Sequence, residues 1–280
     1  MKTRMLAVLA SFAVVLGSVG PVNAQNVAFE AASIKPAPPD EMRRGARRQP
    51  GGRIEIYNMT LRMLIRIAYE SETLQMPEQI AGGPGWADMD RFNIVAKAEG
   101  EFDAFRTPGR MLRSLLEDRF KLRLHTEMRA TDIYALVLAR KDGKFGPELH
   151  ESTADCYTSP PPPGTPVDPA RQCGIRTGVG NWTGRGVTMS ELAAAAARTP
   201  SVSRAIKDQT GLTGKYDLHL EFVPPVIPGP NPGVAVPNPA ADSGANVFTA
   251  FQEQLGLKLQ AVKAPIEFLV VDSAERPTQD

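Results

Sequence analysis

A phrase that occurs twice is the feature of this sequence that most constrains its fold. The chain reads GWADMDRFNIVAKA from Gly85 to Ala98 and DQTGLTGKYDLHLEF from Asp208 to Phe222. Each stretch contains a turn, a basic residue, an aromatic residue and then apolar residues at alternate positions. Alternation with a period of two is the pattern of a strand that buries one face. The sequence therefore predicts two related strands, one in each half of the chain.

Matching helices and strands are predicted around these two phrases. NMTLRML precedes the first phrase and GVTMSEL the second, and each places a Thr, Thr60 or Thr188, where it can cap a helix. After the phrases, RMLRSLLEDRF and NVFTAFQEQL carry apolar stripes with helical spacing. Each leads into an alternating strand and then into a near-continuous apolar strand, IYALVLA or IEFLVVD. Strands of that last kind are usually buried on both faces.

The predicted fold class is α+β. Its unit has the order strand, helix, strand, helix, hairpin and is internally duplicated, with mixed or mostly antiparallel sheets and Pro-rich loops. The predicted divisions are a signal peptide at 1–24, a first half at 25–150, a Pro/Gly-rich, disulfide-closed linker at 151–185, and a second half at 186–280 with a Pro-rich insertion at 223–244.

The first residues indicate export. A short basic start, MKTR, is followed by the apolar run MLAVLASFAVVLGSVG, and PVNA then places Val22 and Ala24 at the small-residue positions of a cleavage site. The apolar run is too short for a stable membrane span, and no later run approaches about 18 residues. We therefore expect a signal peptide cut before Gln25, a mature chain without a transmembrane segment, and a periplasmic or secreted protein.

Charge argues against a nucleic-acid partner. Loss of Lys2 and Arg4 with the signal lowers the basic residues from 32 to 30, against 31 acidic residues. A mature net charge near −1 gives no basis for binding nucleic acid. One basic cluster, from Met42 to Arg53, contains Gly and Pro; it is interpreted as a solvated loop or, alternatively, as a contact for an acidic polymer.

The two cysteines, Cys156 and Cys173, predict a disulfide, because an even pair in an exported chain is normally bonded. The bond would close a loop of roughly 17 residues and contribute about 3 kcal/mol of stability. A metal site is the weaker interpretation, since no His or further Cys lies nearby in the sequence.

Motifs of known catalytic sites are absent from the sequence. It contains no G-x-S-x-G, no S-x-x-K, no P-loop and no dinucleotide-binding glycine motif. The three histidines, His125, His150 and His219, lie at positions predicted to face solvent. They do not form a cluster suited to a metal. We expect no metal and no cofactor, and the sequence favours a protein that is not an enzyme.

Two aromatic residues on glycine-rich loops are candidate ligand contacts. Trp86 follows AGGPG, and Trp182 lies within GVGNWTGRG. Such an aromatic ring can stack on a sugar or peptide, or it can fill its own core. Asp88 and Asp90 follow Trp86; paired carboxylates can do acid–base work, bind Ca²⁺, or simply form a turn. The predicted ligand-binding residues are therefore Trp86, Asp88, Asp90 and Trp182, with the ligand expected in a crevice where the two halves meet.

The ordered set of motifs resembles a known family. FEAASIKPAPP, GGRIEIYNMTLRMLIRIAY, LLEDRFKLRLHTEMRATDIYALVLAR and FTAFQEQLGLKLQAVKAPIEFLVVDSAERP are similar to the soil-associated family of exported bacterial proteins built on a domain of unknown function. The resemblance implies no catalytic residue. In some relatives a similar domain is fused to a membrane metallopeptidase of the antibiotic-sensor type, which implies a sensing or binding role outside the cytoplasm. This chain has no membrane peptidase portion and no HExxH.

Three functional hypotheses follow. The leading one is an exported, non-enzymatic binding or sensing module for an unknown ligand or protein of the bacterial cell envelope. The second is a hydrolase that gathers His125, Asp88 or Asp90 in one cleft. The third is an envelope assembly component that pairs with a partner through an exposed strand edge.

Overall fold

The computed structural model describes residues 28–49, 51–69, 74–98, 107–157, 165–166, 168–228, 235–238 and 244–278. The predicted signal peptide, residues 1–24, lies outside the described residues, as do parts of both Pro-rich tracts. Within the described ranges the chain is α+β, with four helices and three four-stranded sheets that are mixed or antiparallel. None of these helices is both long and apolar enough to cross a membrane.

The elements follow one another in this chain order. The helices are α1 (Leu61–Ala68), α2 (Thr107–Arg119), α3 (Met189–Ala197) and α4 (Val247–Gln254). The strands are β1 (Phe29–Pro36), β2 (Gly45–Gln49), β3 (Arg53–Thr60), β4 (Ile80–Gly82), β5 (Arg91–Ala98), β6 (Arg123–Leu138), β7 (Leu149–Glu151), β8 (Gly174–Thr177), β9 (Asn181–Val187), β10 (Ile206–Asp208), β11 (Tyr216–Glu221), β12 (Val226–Pro228), β13 (Ala235–Pro237) and β14 (Leu257–Ser273).

Three sheets organise these strands. The first has the order β1-β5-β3-β2, the second β10-β6-β14-β4 and the third β7-β11-β9-β8. The first and third sheets are antiparallel. In the second sheet β4 runs parallel to β14, and β10 runs parallel to β6. β12 and β13 form a separate two-stranded sheet inside the tract predicted as a Pro-rich insertion.

The predicted helix caps at Thr60 and Thr188 are confirmed. The Thr60 side chain accepts a hydrogen bond from the Met63 N–H of α1. Thr188 caps α3 in a capping box, in which its side chain accepts from the Glu191 N–H and the Glu191 side chain accepts from the Thr188 N–H. Because these side chains satisfy N–H groups that have no partner within the helix, they fix where both helices begin.

A long two-stranded ribbon made of β6 and β14 joins the two halves. Its antiparallel register runs from Leu257 opposite Leu138 to Ser273 opposite Arg123. The predicted hairpin at the end of each half is therefore wrong. The intervening sequence HTEMRATD contains no Gly, Pro or Asn that would reverse the chain. Each predicted strand pair is instead one continuous strand, and its antiparallel partner comes from the other half.

Two hydrophobic cores lie on one face of the ribbon. The first core contains α1, α2, the first sheet, and Leu269 and Val271 of β14. The second contains α3, α4, the third sheet, and Leu257 and Leu259 at the other end of β14. All four of these β14 residues have odd numbers, so strand alternation directs them to the same face. The cores therefore sit side by side along the ribbon, with its middle between them.

The opposite face of the ribbon is less covered than the sequence predicts. In the stretch IEFLVVD only Leu269 and Val271 are buried, whereas Ile266, Phe268 and Val270 are partly exposed. The prediction of burial on both faces is wrong for this strand, and it is confirmed for IYALVLA, where Ile133 and Ala135 are buried on one face and Leu136 on the other.

The range 151–185 contains sheet residues as well as the predicted disulfide. The Cys156–Cys173 bond is confirmed, with Cα atoms 5.5 Å apart. However, β8 and most of β9 also lie in this range and belong to the third sheet. Gly184 is buried in β9, and a Cβ atom there would lie 2.8 Å from Leu218 Cγ. Gly184 therefore lets β9 lie close to the Leu218 side chain within the sheet. The glycine-rich composition of this range had suggested a loop instead.

Candidate functional site

Trp86 packs against the first core. It lies in a 3₁₀ turn, Gly85–Asp88, and is partly buried. Its indole stacks on Phe120 with ring centroids 6.5 Å apart and meets Phe92 edge-on at 6.3 Å. The Arg276 guanidinium lies 5.2 Å from the centroid of the indole. These contacts engage the ring within the protein and leave little of it for a ligand.

Asp88 is held by Arg62 of α1. The two side chains form a bidentate ion pair, with Arg62 Nη2 2.9 Å from Asp88 Oδ2 and a second bond from Nε. Arg62 also donates to the backbone oxygens of Ile80 and Gly82, at 2.7 and 2.9 Å. Hydrogen bonding by the guanidinium lowers the pKa of Asp88. The carboxylate is thus part of a clamp that fixes the Trp86 turn against α1.

Asp90 is paired as well. Arg276 Nε lies 2.7 Å from Asp90 Oδ2. Both residues line a cavity of about 350 Å³ beside Phe92, and Trp86 is not among its lining residues. Since Asp88 and Asp90 each face a guanidinium, neither has a free charge for Ca²⁺ or for acid–base work. No group of three potential metal-ligating side chains occurs in the part of the chain that the structure describes.

Trp182 lies inside the second core. It is 2 % exposed, and Phe222 and Phe251 meet it edge-on with centroids 5.5 and 6.1 Å away. Trp86 packs against the other core, so the structure does not bring the two tryptophans together. The Trp182 indole is a core side chain with no face directed to a ligand.

His125 lies on the ribbon, apart from His150 and His219, which belong to the neighbouring strands β7 and β11. His125 Nδ1 lies 2.7 Å from Asp272 Oδ1 at one end of the ribbon. His219 lies on the outer face of the third sheet, 3.7 Å from Glu148 and 3.6 Å from Glu221. His150 is exposed on β7.

A cleft between the two cores is the strongest candidate for a binding site. It encloses about 340 Å³, and we call it the central cleft. The middle of the ribbon, α3, β10 and the segment before β4 each contribute to its lining. The lining residues are Gln75, Met128, Ser190, Ala193, Ala205, Ile206, Lys207, Asp208, Pro265, Ile266 and Glu267. Gln75 and Met128 come from the first half and the others from the second, so the cleft lies where the halves meet.

Gln75 is a residue of this cleft that sequence reasoning missed. It is 6 % exposed, its Nε2 donates to the Ile206 oxygen at 2.8 Å, and its Oε1 accepts from the Ile206 N–H at 2.6 Å. The side-chain amide thus pairs with the Ile206 backbone as a neighbouring strand would. Gln79 extends the link, because its Nε2 donates to the Glu267 oxygen at 2.8 Å. The available signal was a pair of glutamines, Gln75 and Gln79, in the short stretch LQMPEQI before β4.

The charges of the central cleft differ from those at the Trp86 turn. Lys207 and Glu267 line the cleft, and neither side chain has an ion-pair partner among the described residues. Asp208 is occupied locally, since its Oδ1 accepts from the N–H and the hydroxyl of Thr210. The lining of the cleft therefore includes one basic and one acidic residue beside walls that include Met128, Ala193 and Ile206. Mostly apolar walls with a few charged groups are typical of small-molecule and peptide sites.

Comparison with known proteins supplies a family and no activity. The model of a family described as "Protein of unknown function (DUF3738)" matches residues 62–274. The matched range is more than half of the chain and includes α1 from its second residue, the other three helices and the central cleft. No curated protein and no solved structure matches the chain.

Proposed function

Because this chain belongs to the DUF3738 family of proteins of unknown function, we propose from its own residues that it is an exported, non-enzymatic binding or sensing module of the bacterial cell envelope. Its ligand lies in the central cleft. The observation that carries this proposal is the pair of unpartnered charges, Lys207 and Glu267, in a partly apolar cleft between the two cores. A ligand with both charges and an apolar part matches that lining.

Export is supported by two features. The first 24 residues have the basic, apolar and small-residue order of a signal peptide. The Cys156–Cys173 bond is of the kind that persists in oxidising compartments outside the cytoplasm. The mature protein then begins at Gln25 and acts in the periplasm or after secretion.

Duplication of one unit is part of the proposal. In chain order, α1, β4, β5, α2 and β6 correspond to α3, β10, β11, α4 and β14. The two short strands are also paired in equivalent ways: β4 of the first half runs parallel to β14 of the second, and β10 of the second half runs parallel to β6 of the first. A duplicated unit that exchanges its short strands in this way supports a ligand site on the boundary between its copies.

A hydrolase built on the predicted residues is not favoured. That hypothesis requires His125, Asp88 and Asp90 to meet in one cleft. Asp88 is paired with Arg62, Asp90 with Arg276 and His125 with Asp272. None of the three acidic or histidine side chains predicted for catalysis lines the central cleft.

A substitution that fills the central cleft with a large side chain tests the proposed function. Ser190 is partly exposed on α3 and lines the cleft, so Ser190→Trp should occupy its volume. The matched control is Thr183→Trp, which places the same side chain on the exposed outer face of β9. Native mass spectrometry of the mature protein against muropeptides and charged tripeptides should find a binder for the native chain and for Thr183→Trp. Its affinity for Ser190→Trp should fall by about tenfold or more. Binding of no compound, or equal binding to both variants, would contradict the proposal.

A further inference from the structure

The register of the ribbon shows which backbone groups of β6 point away from β14. In an antiparallel pair, alternate residues direct both backbone groups towards the partner strand or away from it. The Tyr134 N–H donates to the Ala205 oxygen and the Leu136 oxygen accepts from the Gln209 N–H, both at 2.9 Å. Both bonds lie on the side away from β14. Even-numbered residues of β6 therefore direct their N–H and C=O groups to that outer edge.

Most of this outer edge has no partner strand. β10 pairs only with Tyr134–Leu136. Thr126, Met128, Ala130 and Asp132 precede this pairing and direct their backbone groups to the same edge, where no described residue bonds to them. All four residues are exposed. We call this stretch the β6 edge; it presents alternating donors and acceptors in the spacing of a strand that lacks its neighbour.

The other edge of the ribbon is protected against strand addition between Pro265 and Val271. Odd-numbered residues of β14 point outwards there, and they include Pro265, which has no N–H to donate. The outward oxygen of Glu267 accepts from Gln79, and β4 pairs with Leu269–Val271. Proline and paired groups are the usual protection of an edge strand. The β6 edge lacks such protection in the part of the ribbon that is described.

The β6 edge also borders the central cleft. Met128 belongs to both: its backbone lies on the edge, and its side chain, in a residue that is 59 % exposed, lines the cleft. Directly across the ribbon from it lies Glu267. β10 begins on this same side of β6 and supplies Lys207 to the cleft. A strand laid along the edge would thus lie in line with β10 and bring a side chain to the mouth of the cleft.

We propose that the β6 edge binds an extended segment of a partner polypeptide by strand addition, with one side chain of that segment in the central cleft. This inference rests on the proposed function, because it uses the same cleft as the ligand site. The unpaired backbone groups would supply affinity and the cleft would supply selectivity, as in other complexes formed by strand addition.

A second copy of this chain is the competing occupant of the edge. Antiparallel pairing of two β6 edges about Met128 would place the two Met128 residues opposite each other and Glu127 of one copy opposite Arg129 of the other. The oligomeric state of the free chain decides between the two occupants, because a dimer that pairs through the β6 edge would overturn the proposal and a monomer leaves the edge to a peptide. A peptide with a large side chain opposite Met128 fills the cleft and forms the same backbone bonds.

The experiment removes one donor from each edge of the ribbon. Ala130→Pro deletes the outward N–H at the centre of the β6 edge, and Lys263→Pro makes the same change on the outer edge of β14 as the matched control. Phage-displayed random peptides of about twelve residues are selected on the native mature chain, and the enriched peptides are titrated as synthetic compounds. We expect Ala130→Pro to weaken their binding by about tenfold or more. Lys263→Pro should change it by no more than about twofold.

Hydrogen exchange of the unmutated chain gives a second test, which does not depend on whether the variants fold. Bound peptide should slow hydrogen exchange at the Met128, Ala130 and Asp132 amides, because each would then donate to the added strand. Unchanged exchange at these amides, no enriched peptide, or equal binding to Ala130→Pro would overturn strand addition. If a peptide binds Ala130→Pro as tightly as the native chain but does not bind Ser190→Trp, the cleft is its binding site and strand addition is overturned.

Discussion

Arg62 is the residue that ties the Trp86 turn to α1 and β4. Its guanidinium joins three parts of the chain: the 3₁₀ turn through Asp88, β4 through the oxygens of Ile80 and Gly82, and α1, to which it belongs. A planar group with several donors in a fixed geometry suits this task, and a lysine would not replace it. The acidic residue that the sequence suggested as a ligand contact is therefore bound by the protein itself.

This pairing predicts a pH-dependent difference in stability between the native chain and Asp88→Asn. The pKa of Asp88 is lowered in the folded state, so its ion pair stabilises the fold above the unfolded value of about 3.9. That stabilisation is lost as the pH falls through the lower folded pKa. Because the Asp88 side chain is 52 % exposed, solvent screens the pair and the difference at pH 6 should stay below about 1 kcal/mol.

Urea unfolding of both proteins from pH 6 down to pH 3 measures the effect. The difference in free energy of unfolding between the native chain and Asp88→Asn should become smaller below about pH 4. Asp40→Asn, which removes an exposed carboxylate without an ion-pair partner in the described ranges, is the control variant. A difference between the native chain and Asp88→Asn that does not change with pH would contradict the stabilising role of the pair.

At the scale of single elements, β9 is the strand whose sequence is most misleading. Its residues alternate between buried Trp182, Gly184 and Gly186 and exposed Asn181, Thr183 and Arg185. The strand period is therefore present, but two of the four buried positions of β9 are glycines, so the alternating pattern of apolar side chains is lost. Glycine is used here because neighbouring groups come close, and at Gly186 the neighbour is the disulfide.

Gly186→Ala should cost more stability than Gly211→Ala. Both glycines have positive φ angles, +59° and +74°, so either alanine is strained by about 1–2 kcal/mol. At Gly186 the new Cβ would also lie 2.5 Å from Cys156 Sγ, whereas nothing lies within 4 Å at Gly211. Overpacking should add about 1–3 kcal/mol at Gly186 alone. The free energy of unfolding in urea decides this, and equal losses for the two variants would show that the disulfide yields without cost.

For the whole molecule, the two cores are joined by more than the ribbon. Gln75, from the segment that leads to β4, forms two hydrogen bonds with the backbone of Ile206 in β10. Both residues are buried, so each of these bonds is shielded from water. An unpaired polar group in such a place is costly, which makes this contact a strong link between the halves.

Gln75→Leu should therefore destabilise the protein by about 2–4 kcal/mol, because it leaves both the N–H and the C=O of buried Ile206 without their side-chain partner. The control is Gln209→Leu, the same substitution at an exposed residue, which should change the free energy of unfolding by less than about 0.5 kcal/mol. Denaturant unfolding monitored by fluorescence gives both values. A loss at Gln75 no larger than at Gln209 would mean that water or a rearranged side chain replaces the amide.

The sequence predicts the local elements better than their pairing. The caps at Thr60 and Thr188 depend on neighbouring residues, and the Cys156–Cys173 bond depends on the cysteine count and the compartment; all three are confirmed. The ribbon depends on contacts between distant strands, which a local apolar pattern does not specify. A crevice where the halves meet was expected, but the residues of the central cleft were missed for the same reason, since Gln75 and Glu267 are brought together only by the long-range pairing of β14.

The shared ribbon also sets the order in which the molecule can fold. The first core includes Leu269 and Val271, which belong to the last strand in the chain. A growing chain therefore cannot complete its first core while the second half is still being synthesised. Contacts such as that between His125 and Asp272 span 147 residues, and pairing over such distances folds slowly because closing the long loop costs entropy first. The polypeptide thus cannot reach its native fold before its last strand has been made.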